Sequence, residues 1–503
     1  MLGSVTSVYS RTRPTERARK WQSHNGDGFT VRTTRTDPRL CDGEEGVSGY
    51  VDWGNEVFSP SPSSVISFLS ADDNHLYFWA FESRNDVARD PVILWLQGGP
   101  GGSSVFGGGL MELGACLFDR TVPISHIDTF NSTTYNPYAW NSNATVIFVD
   151  QPLDVGYSYG KRKVSHLADA MDDLYAFLVR LFAARPDWGA QDFYIAGESY
   201  GGSWVPALGA TIHRMQSSRV AKLAAATSSR QLSAINLKGI MVGNGLMDQK
   251  TQRRGNWETG CTSSGSGRRQ PIFNASQCTR IAETTPRCEE LTQACEGSDY
   301  DMDICNVVEA YCMKNGFDLL NDTPWNGYDL SINCTATPQL CELPLLSMMA
   351  WVNSEEVRDH LGVSPEKGTA LMVSPQVSQD FYRNAEVGYP SYQWVTELLD
   401  NGIRVLIYAG NRDWMCTAPG MKLFVDNLVW RGSGPFRSQP NLPLSHEVLG
   451  LPLDESENRS ALGYYKSYSL LSFVEVEAAG HMVPMDKPQV AHAMMKKWLQ
   501  GEL

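Results

Sequence analysis

The stretch IAGESYGG, residues 195–202, decides the fold because it sets one serine between two glycines after an apolar run. The run predicts a strand that ends at Ala196, and the residues after Ser199 have the apolar spacing of a helix. A strand, a tight turn and a helix expose a serine hydroxyl, and the glycines leave the space that such a turn needs. The stretch therefore predicts a nucleophilic serine, Ser199, with a carboxyl group, Glu198, directly before it.

Strand and helix patterns alternate through most of the chain. Apolar runs of strand length are followed by longer stretches with apolar residues at helical spacing. This alternation predicts a mostly parallel sheet with helices on both faces. The predicted strands are HLYFWAFES, PVILWLQ, ATVIFVDQP, DFYIAG, LKGIMVGNG, IRVLIYAG and LLSFVEVEAAG, and the main predicted helices are LADAMDDLYAFLVRLFAARP, SWVPALGATIHRM, YQWVTELLDNG and PQVAHAMMKKWLQG.

Composition divides the chain into four predicted segments. Residues 1–45 are polar and basic, which predicts a flexible lead-in. Residues 46–245 and 386–503 carry the alternating pattern and predict the two halves of one α/β core. Residues 246–385 hold most of the cysteines together with Gly- and Ser-rich stretches, which predicts an inserted, disulfide-rich lid.

The cysteines indicate disulfide bonds in preference to a metal site. Seven of the eleven lie between Cys261 and Cys334, and Cys341 follows closely. The chain has no Cys-x-x-Cys pairs with matching histidine pairs, so zinc is not expected. Disulfides are typical of secreted proteins, and the odd total predicts one free thiol or an intermolecular bond.

Six Asn-x-Ser/Thr sites support a secretory route and predict N-linked glycans. The N-terminal sequence MLGSVTSVYSRTRPTERARK has no apolar central region and does not read as a signal peptide, so we expect either that the leader is missing from this chain or that the start is misassigned. The predicted location is therefore secreted or vacuolar/lysosomal. The six sites are Asn131, Asn143, Asn274, Asn321, Asn333 and Asn458.

The charge of the chain excludes two classes of partner. The formal net charge is −14 at pH 7, which argues against nucleic acid and anionic membranes. The longest apolar runs have the length of buried strands, so no segment is expected to span a membrane.

A serine nucleophile needs a base, and the base needs an orienting carboxylate. Asp413 follows the strand in VLIYAGNRDW, and His481 follows the strand in VEVEAAGHMVP. A single histidine after a strand is more often structural. The order serine, aspartate, histidine after three strands of one parallel sheet reverses that expectation, because such strand ends meet along one edge.

The loop LWLQGGPGGSS, residues 94–104, predicts the second half of an oxyanion hole. Its glycines let the backbone approach a substrate closely, and Gly99 is the expected donor. The backbone N–H of Tyr200, directly after the serine, is the other.

These motifs together resemble the serine carboxypeptidases, and most closely their secreted fungal branch. The resemblance rests on the Gly-Gly-Pro-Gly loop, GESYGG, the Asp413 strand end, GHMVP, DQPLDVGYSY and NPYAWNSNA, and it runs from Cys41 to the C-terminus. It implies an α/β-hydrolase fold and hydrolysis of the C-terminal bond of peptides and proteins at acidic pH through an acyl-enzyme. It implies Ser199 as nucleophile, His481 as base and then acid, Asp413 as the orienting group, and no metal or cofactor.

The resemblance also gives a purpose to the glutamate before the serine. It implies that Glu198 hydrogen-bonds Glu112 of MELG, and that the pair binds the terminal carboxylate of the substrate with the N–H of Gly98 and the amide of Gln97. Two close carboxyl groups cannot both stay ionised at low cost, so one pKa rises, and a protonated carboxyl can donate to a carboxylate. The alternative is that Glu198 only holds a loop.

Several positions depart from the pattern of the family. Gln97 stands where the family has asparagine, and the added methylene shifts the amide by about an ångström. Gly102 replaces a cysteine or serine, so a disulfide common in relatives cannot form there. Both changes put substrate preference in doubt.

The resemblance suggests three further assignments. It pairs Cys41 with Cys116 and leaves Cys416 as a free thiol near the site. Met111 and Met482 could line the pocket for the leaving residue, although ordinary core packing explains them equally well.

Two other functions stay open at this point. One keeps the three catalytic groups but transfers the acyl group to an alcohol. The other is a diverged, non-catalytic relative that binds peptides. The sequence also leaves open whether the protein is a monomer or a homodimer.

Overall fold

One large sheet forms the centre of the computed structural model. The structure describes residues 22–26, 29–54, 74–217, 234–262, 270–334, 344–452 and 461–503. The strands in chain order are β1 (Gln22–Gly26), β2 (Phe29–Arg35), β3 (Val47–Trp53), β4 (Asn74–Phe81), β5 (Val92–Leu96), β6 (Cys116–Phe118), β7 (Thr133–Tyr135), β8 (Thr145–Val149), β9 (Tyr159–Gly160), β10 (Phe193–Ser199), β11 (Leu237–Gly245), β12 (Arg404–Gly410), β13 (Leu442–Pro443), β14 (Gly463–Tyr468) and β15 (Leu471–Val476).

The sheet is parallel at its centre and antiparallel at both edges. Its order is β1-β2-β3-β4-β8-β5-β10-β11-β12-β15-β14-β13, with β9 beside β4, while β6 and β7 pair separately. The six strands from β8 to β15 run parallel. The sequence predicted a mostly parallel sheet, which describes only this centre. Two residues connect β14 to β15, and such short connections produce antiparallel pairs, whereas parallel strands need longer crossovers.

The first described strands correct the prediction for residues 1–45. Residues 29–35 are not a flexible lead-in but strand β2, which pairs along its whole length with β3. Val31 is fully buried in this pair, and Arg32 donates to Asp52 at 2.9 Å. The polar residues around Val31 concealed the strand in the sequence, because most of the residues of β2 other than Val31 and Thr34 stay partly exposed.

Helices cover both faces of the sheet, as the alternation predicted. Alternate residues of β5 belong to different clusters of buried side chains, Leu94 to one and Trp95 to the other. No helix in the described part of the chain is both long and apolar enough to cross a membrane. The helices are α1 (Leu167–Ala184), α2 (Pro186–Gly189), α3 (Gly201–Ser217), α4 (Gln249–Cys261), α5 (Ala275–Gly297), α6 (Met302–Asn315), α7 (Pro344–Val352), α8 (Glu355–His360), α9 (Pro375–Arg383), α10 (Tyr392–Asp400), α11 (Ala418–Asn427), α12 (Ser433–Ser438), α13 (His446–Leu449), α14 (Val483–Asp486) and α15 (Pro488–Leu499), with shorter 3₁₀ turns at Pro38–Cys41, Ile124–His126, Trp140–Ser142, Phe317–Asp322 and Glu386–Gly388 and a π-helix at Val105–Glu112.

The cysteine-rich segment is stapled by disulfides, as its spacing predicted. Two bonds join α5 to α6, and a third joins the end of α4 to the start of α5. Cys41 and Cys116 also form a disulfide, and Cys416 is free. Cys334 is disulfide-bonded as well, and Cys341 lies outside the described residues. The three bonds of the segment are Cys288–Cys312, Cys295–Cys305 and Cys261–Cys278. The boundaries of the lid at residues 246 and 385 stay predictions.

The turn after β10 depends on the absence of a side chain at Gly197. A Cβ atom there would lie 2.4 Å from the carbonyl oxygen of Leu96 and 2.8 Å from a methyl group of Val205. Neither neighbour can move freely, because Leu96 is in the adjacent parallel strand and Val205 is buried in α3.

Replacing Gly197 by alanine is expected to lower the free energy of unfolding by about 3 kcal/mol, the cost of overpacking a rigid core position. Urea unfolding measures the change. Gly368→Ala is the control, since a Cβ at Gly368 meets nothing within 4 Å, and it should change stability by no more than about 0.5 kcal/mol. Equal stability of the two variants would contradict this account of the turn.

Candidate active site

The serine of IAGESYGG sits at a strained turn between β10 and α3. Ser199 is the last residue of β10 and has a φ of 61°, which is the left-handed region that side chains other than glycine rarely adopt. Its carbonyl oxygen accepts from the N–H of Leu246 at 2.7 Å. Strain held by its surroundings in this way is typical of functional positions. The turn predicted from the sequence is therefore present.

The loop after β5 lies against this turn. A Cβ at Gly98 would be 2.4 Å from Cβ of Ser199 and 2.5 Å from the backbone nitrogen of Tyr200. Gly99 has a φ of 118° and lines the same cleft as Ser199 and Tyr200. Tyr200 directly precedes α3, whose N-terminus carries a partial positive charge. The two predicted oxyanion donors, Gly99 and Tyr200, are thus neighbours beside the serine.

Asp413 and His481 are joined by a short hydrogen bond. Nδ1 of His481 lies 2.7 Å from Oδ2 of Asp413, and both side chains are buried. The backbone N–H groups of Met415 and Cys416 also donate to this carboxylate, at 2.7 and 3.0 Å. Several donors therefore hold a buried negative charge in one orientation.

Asn244 is a further residue of this group that the sequence analysis missed. Its Nδ2 donates to Oδ2 of Asp413 at 2.8 Å, and its Oδ1 accepts from the N–H of Gly410 at 2.9 Å. Asn244 is fully buried near the end of β11 and has a φ of 37°. Its signal was the polar residue in VGNG at the end of an apolar strand, the same signal that identified Asp413.

His481 has one ring nitrogen held and the other available. Its backbone N–H donates to the carbonyl of Tyr328 at 2.7 Å, and the ring of Tyr328 packs edge-on against the imidazole at 5.1 Å. Nε2 is buried and has no hydrogen-bond partner within the described residues. This is the nitrogen that a serine triad uses to take the hydroxyl proton. No hydrogen bond joins it to Ser199 in the described residues, and such bonds often form only when substrate binds.

Two buried carboxyl groups lie beside the serine. Glu198 precedes it in β10, and Glu112 ends the π-helix Val105–Glu112. Each is about 1% exposed, and each acts on the pKa of the other. Two buried carboxyl groups this close together cannot both stay ionised at low cost, so at least one of them carries a proton.

Burial is the main cause of the raised pKa of both groups. It raises the pKa of Glu112 to about 7. It raises the pKa of Glu198 well above the usual range, and the negative charge of Glu112 adds to the rise. The pair therefore holds a proton in acid and releases it as the pH rises through neutrality.

The amide of Gln97 is fixed on this pair. Nε2 of Gln97 donates to Oε1 of Glu198 at 2.8 Å and lies 3.3 Å from Oε1 of Glu112. Its Oε1 accepts from the indole of Trp95 at 2.7 Å. The amide orientation is thus set, with the NH₂ group turned to the acids.

Glycines make room for the longer side chain of Gln97. A Cβ at Gly102 would lie 3.3 Å from Cγ of Gln97, and a Cβ at Gly107 would lie 2.7 Å from its Cδ. The departures from the family at positions 97 and 102 are therefore linked. The glycine at position 102 has no side chain, and this leaves space for the longer side chain of Gln97.

Asp150 anchors the glycine loop from below and was not singled out from the sequence. Its Oδ1 accepts from the hydroxyl of Ser103 at 2.6 Å and the N–H of Val105 at 3.2 Å, and its Oδ2 accepts from the N–H of Tyr157 at 2.8 Å. Burial raises its pKa to about 6. The residue follows β8 in DQPLDVGYSY, so it too lies at a parallel strand end.

A cleft opens from Ser199 toward α4, α5 and α6. Cys416 is among its lining residues, and burial raises the pKa of its thiol well above the usual range. Met111 and Met482 are not among the described residues that line this cleft. Met111 is buried next to Glu112, and Met482 is half-buried next to His481. A role for these two methionines toward the leaving residue stays a prediction.

One cluster in the described part of the chain has the spacing of a metal site. Ligand atoms of Asp413, Cys416 and His481 lie within 4.8 Å of one another. The carboxylate already accepts from backbone N–H groups and from Asn244, and the thiol is held in its neutral form, so the donor set suits a hydrogen-bonded triad better than a cation.

Comparison with known proteins agrees with this geometry. The family model described as serine carboxypeptidase matches residues 49–501. Carboxypeptidase Y homolog A of Coccidioides posadasii (strain C735) is 34% identical over 431 residues, which cover 86% of this chain and 73% of that protein. The protein of the same name from Botryotinia fuckeliana (strain B05.10) is 34% identical over 473 residues, covering 94% and 76%.

A solved structure shows the same fold. The crystal structure of Kex1(delta)p, a prohormone-processing carboxypeptidase from Saccharomyces cerevisiae, superposes with a TM-score of 0.66 at 23% identity and covers 92% of both chains. The predicted α/β-hydrolase architecture, with its parallel central strands and flanking helices, is confirmed. Since the family match extends over nine-tenths of the sequence and includes every strand end described above, this chain belongs to the serine carboxypeptidase family.

Proposed function

We propose that this carboxypeptidase releases the C-terminal residue of peptides and proteins through an acyl-enzyme formed on Ser199. His481 takes the hydroxyl proton on Nε2 as Oγ attacks the last peptide carbonyl. The C–N bond then breaks, and the same proton passes to the departing amine. Water repeats the sequence with His481 as base and frees the acid and Ser199. The 2.7 Å bond between His481 and Asp413 supports this assignment, because it fixes the tautomer that leaves Nε2 free to accept.

The oxyanion of each tetrahedral intermediate is assigned to the N–H groups of Gly99 and Tyr200. Both lie against Ser199, and the position of Tyr200 before α3 adds the positive end of a helix. These donors are fixed before substrate arrives, since the contact of Gly98 with the turn leaves no space for rearrangement.

The buried pair of Glu112 and Glu198 is the observation that carries the assignment to a C-terminal exopeptidase. The protonated member of the pair and the N–H of Gly98 form a donor set for a carboxylate one residue away from the nucleophile, and the amide of Gln97 holds both acids in place. An enzyme that cleaves within chains has no use for such a group beside its serine. Recognition requires the proton, so it holds in acid and weakens as the pH rises.

A secreted or vacuolar location is proposed with it. Disulfides in the described residues and exposed glycan acceptor sites support an oxidising, secretory route. Asn143 is half-buried and Asn458 lies outside the described residues. The exposed acceptors are Asn131, Asn274, Asn321 and Asn333.

The carboxylate claim predicts a pH-dependent preference for free acids. A blocked dipeptide should be cleaved at least about 10-fold faster, in kcat/KM, than the same dipeptide amidated, at pH 4 to 6. The advantage should shrink as the pH rises past about 7, the pKa to which burial raises Glu112, because the pair begins to lose protons there. Release of the last amino acid from both substrates between pH 4 and 8 measures it. Equal rates at every pH would remove the carboxylate-recognition claim.

Asn244 is proposed as a positioning residue for Asp413, and its loss should affect turnover more than binding. Asn244→Ala removes one donor from the buried carboxylate, so kcat should fall by up to about 100-fold with KM within about 2-fold, the effect of a misplaced catalytic group. Steady-state kinetics on one dipeptide measures both constants.

Asn136→Ala is the matched control for that variant. Asn136 is equally buried and donates to the carbonyl of Gly114 at 3.0 Å, but it has no contact with Asp413. It should lower thermal stability and leave kcat unchanged. A kcat for Asn244→Ala that equals the control value would contradict the positioning role.

A further inference from the structure

The cleft that opens from Ser199 is separate from the groups proposed to bind the terminal carboxylate. Gly99, Ser199 and Tyr200 form its inner end. None of the groups proposed to bind the terminal carboxylate is among its described lining residues. The cleft therefore extends away from the leaving group, in the direction that remains for the acyl part of the substrate.

The lining of the cleft combines apolar, polar and charged side chains. Leu246, Met415 and Phe317, from three separate segments, are among the apolar ones, and Gln252 and Asn256 are among the polar ones. The lining also includes Arg253 of α4 and Glu309 of α6. These two are the charged residues among the described residues that line the cleft. A side chain bound there would contact apolar groups and share the cleft with a charged pair.

Arg253 and Glu309 neutralise each other across the lid. Their side chains approach to 2.8 Å and are 12% and 23% exposed. Arg253 also donates to the hydroxyl of Thr292 on α5. Taking one member of such a partly buried pair away leaves the other without its counter-charge, which is costly unless a new partner arrives.

We propose that this cleft binds the side chain of the residue before the scissile bond, and that the Arg253–Glu309 pair makes it select long uncharged side chains over charged ones. This inference rests on the proposed function, because it presumes acyl transfer to Ser199. A lysine or glutamate side chain entering the cleft would lose its hydration and find both charges already partnered. Methionine and phenylalanine would fill the apolar part without that cost.

Removing the charge of either residue of the pair should therefore change which charged side chain the cleft accepts. Glu309→Gln keeps the size and a hydrogen-bond acceptor but leaves the guanidinium of Arg253 unbalanced, which favours a glutamate side chain. Arg253→Gln leaves the carboxylate of Glu309, which favours a lysine side chain. The two variants should shift preference in opposite directions, and general damage to the lid would not do so.

The test compares kcat/KM for four blocked dipeptides that end in leucine and carry Met, Phe, Lys or Glu before it. Burial raises the pKa of Glu309 while Arg253 opposes the rise, so the assay is run at about pH 6, above the ordinary range of a glutamate. Wild type should prefer Met and Phe. The Glu/Met ratio should rise at least about 10-fold in Glu309→Gln, and the Lys/Met ratio by a similar factor in Arg253→Gln.

The Arg254–Glu289 pair supplies the matched control. It joins α4 to α5 in a neighbouring position, with 2.7 Å between Nη2 and Oε2, but it borders a separate depression and not this cleft. Glu289→Gln should leave all four ratios at their wild-type values.

The outcomes separate the two claims. Ratios that stay unchanged in Glu309→Gln and Arg253→Gln, or that move as much in Glu289→Gln, overturn the inference while the proposed function stands. A wild-type enzyme that cleaves none of the four dipeptides contradicts the proposed function itself. If Glu309→Gln does not fold, the Lys/Met ratio of Arg253→Gln decides alone.

Discussion

Two carboxyl groups buried against each other are the constraint on which this active site depends. Glu112 and Glu198 are almost fully removed from water, and burial outweighs the opposing charge of His481 in setting the pKa of Glu112. They can share this space only with a proton between them. In the proposed function, that proton turns an acidic pocket, which would repel a carboxylate, into a donor for one. The proposed dependence of substrate binding on acidic pH follows from this one proton.

The chain couples that donor to the nucleophile by making them consecutive residues. Glu198 belongs to the regular part of β10, and Ser199 leaves it in a left-handed conformation, so adjacent side chains serve different tasks. The spacing between chain-end recognition and bond cleavage is thereby fixed by one peptide unit. The loop of Gln97 and Gly98 completes both tasks, because it contacts the turn and the acids together.

Local patterns predicted what depends on local geometry. The strand before Ser199, the strand ends at Asp413 and His481 and the disulfide-rich segment could all be predicted, because each has its own spacing or residue type. Asn244 could not be chosen from the sequence, since its importance comes from a contact with a residue 169 positions away. Strand β2 was missed because polar residues surround its buried valine. The packing of Gln97 beside Gly102 could not be predicted from the sequence, because it depends on distances of a few ångströms between side chains.

The shared proton itself can be observed. Neutron diffraction from crystals exchanged into heavy water at about pH 5 locates deuterium on individual oxygens. The account predicts deuterium on at least one of Glu112 and Glu198 at this pH, and less deuterium on the pair in crystals brought to about pH 9. Two bare carboxylates at the lower pH, or side chains that have moved apart, would contradict it.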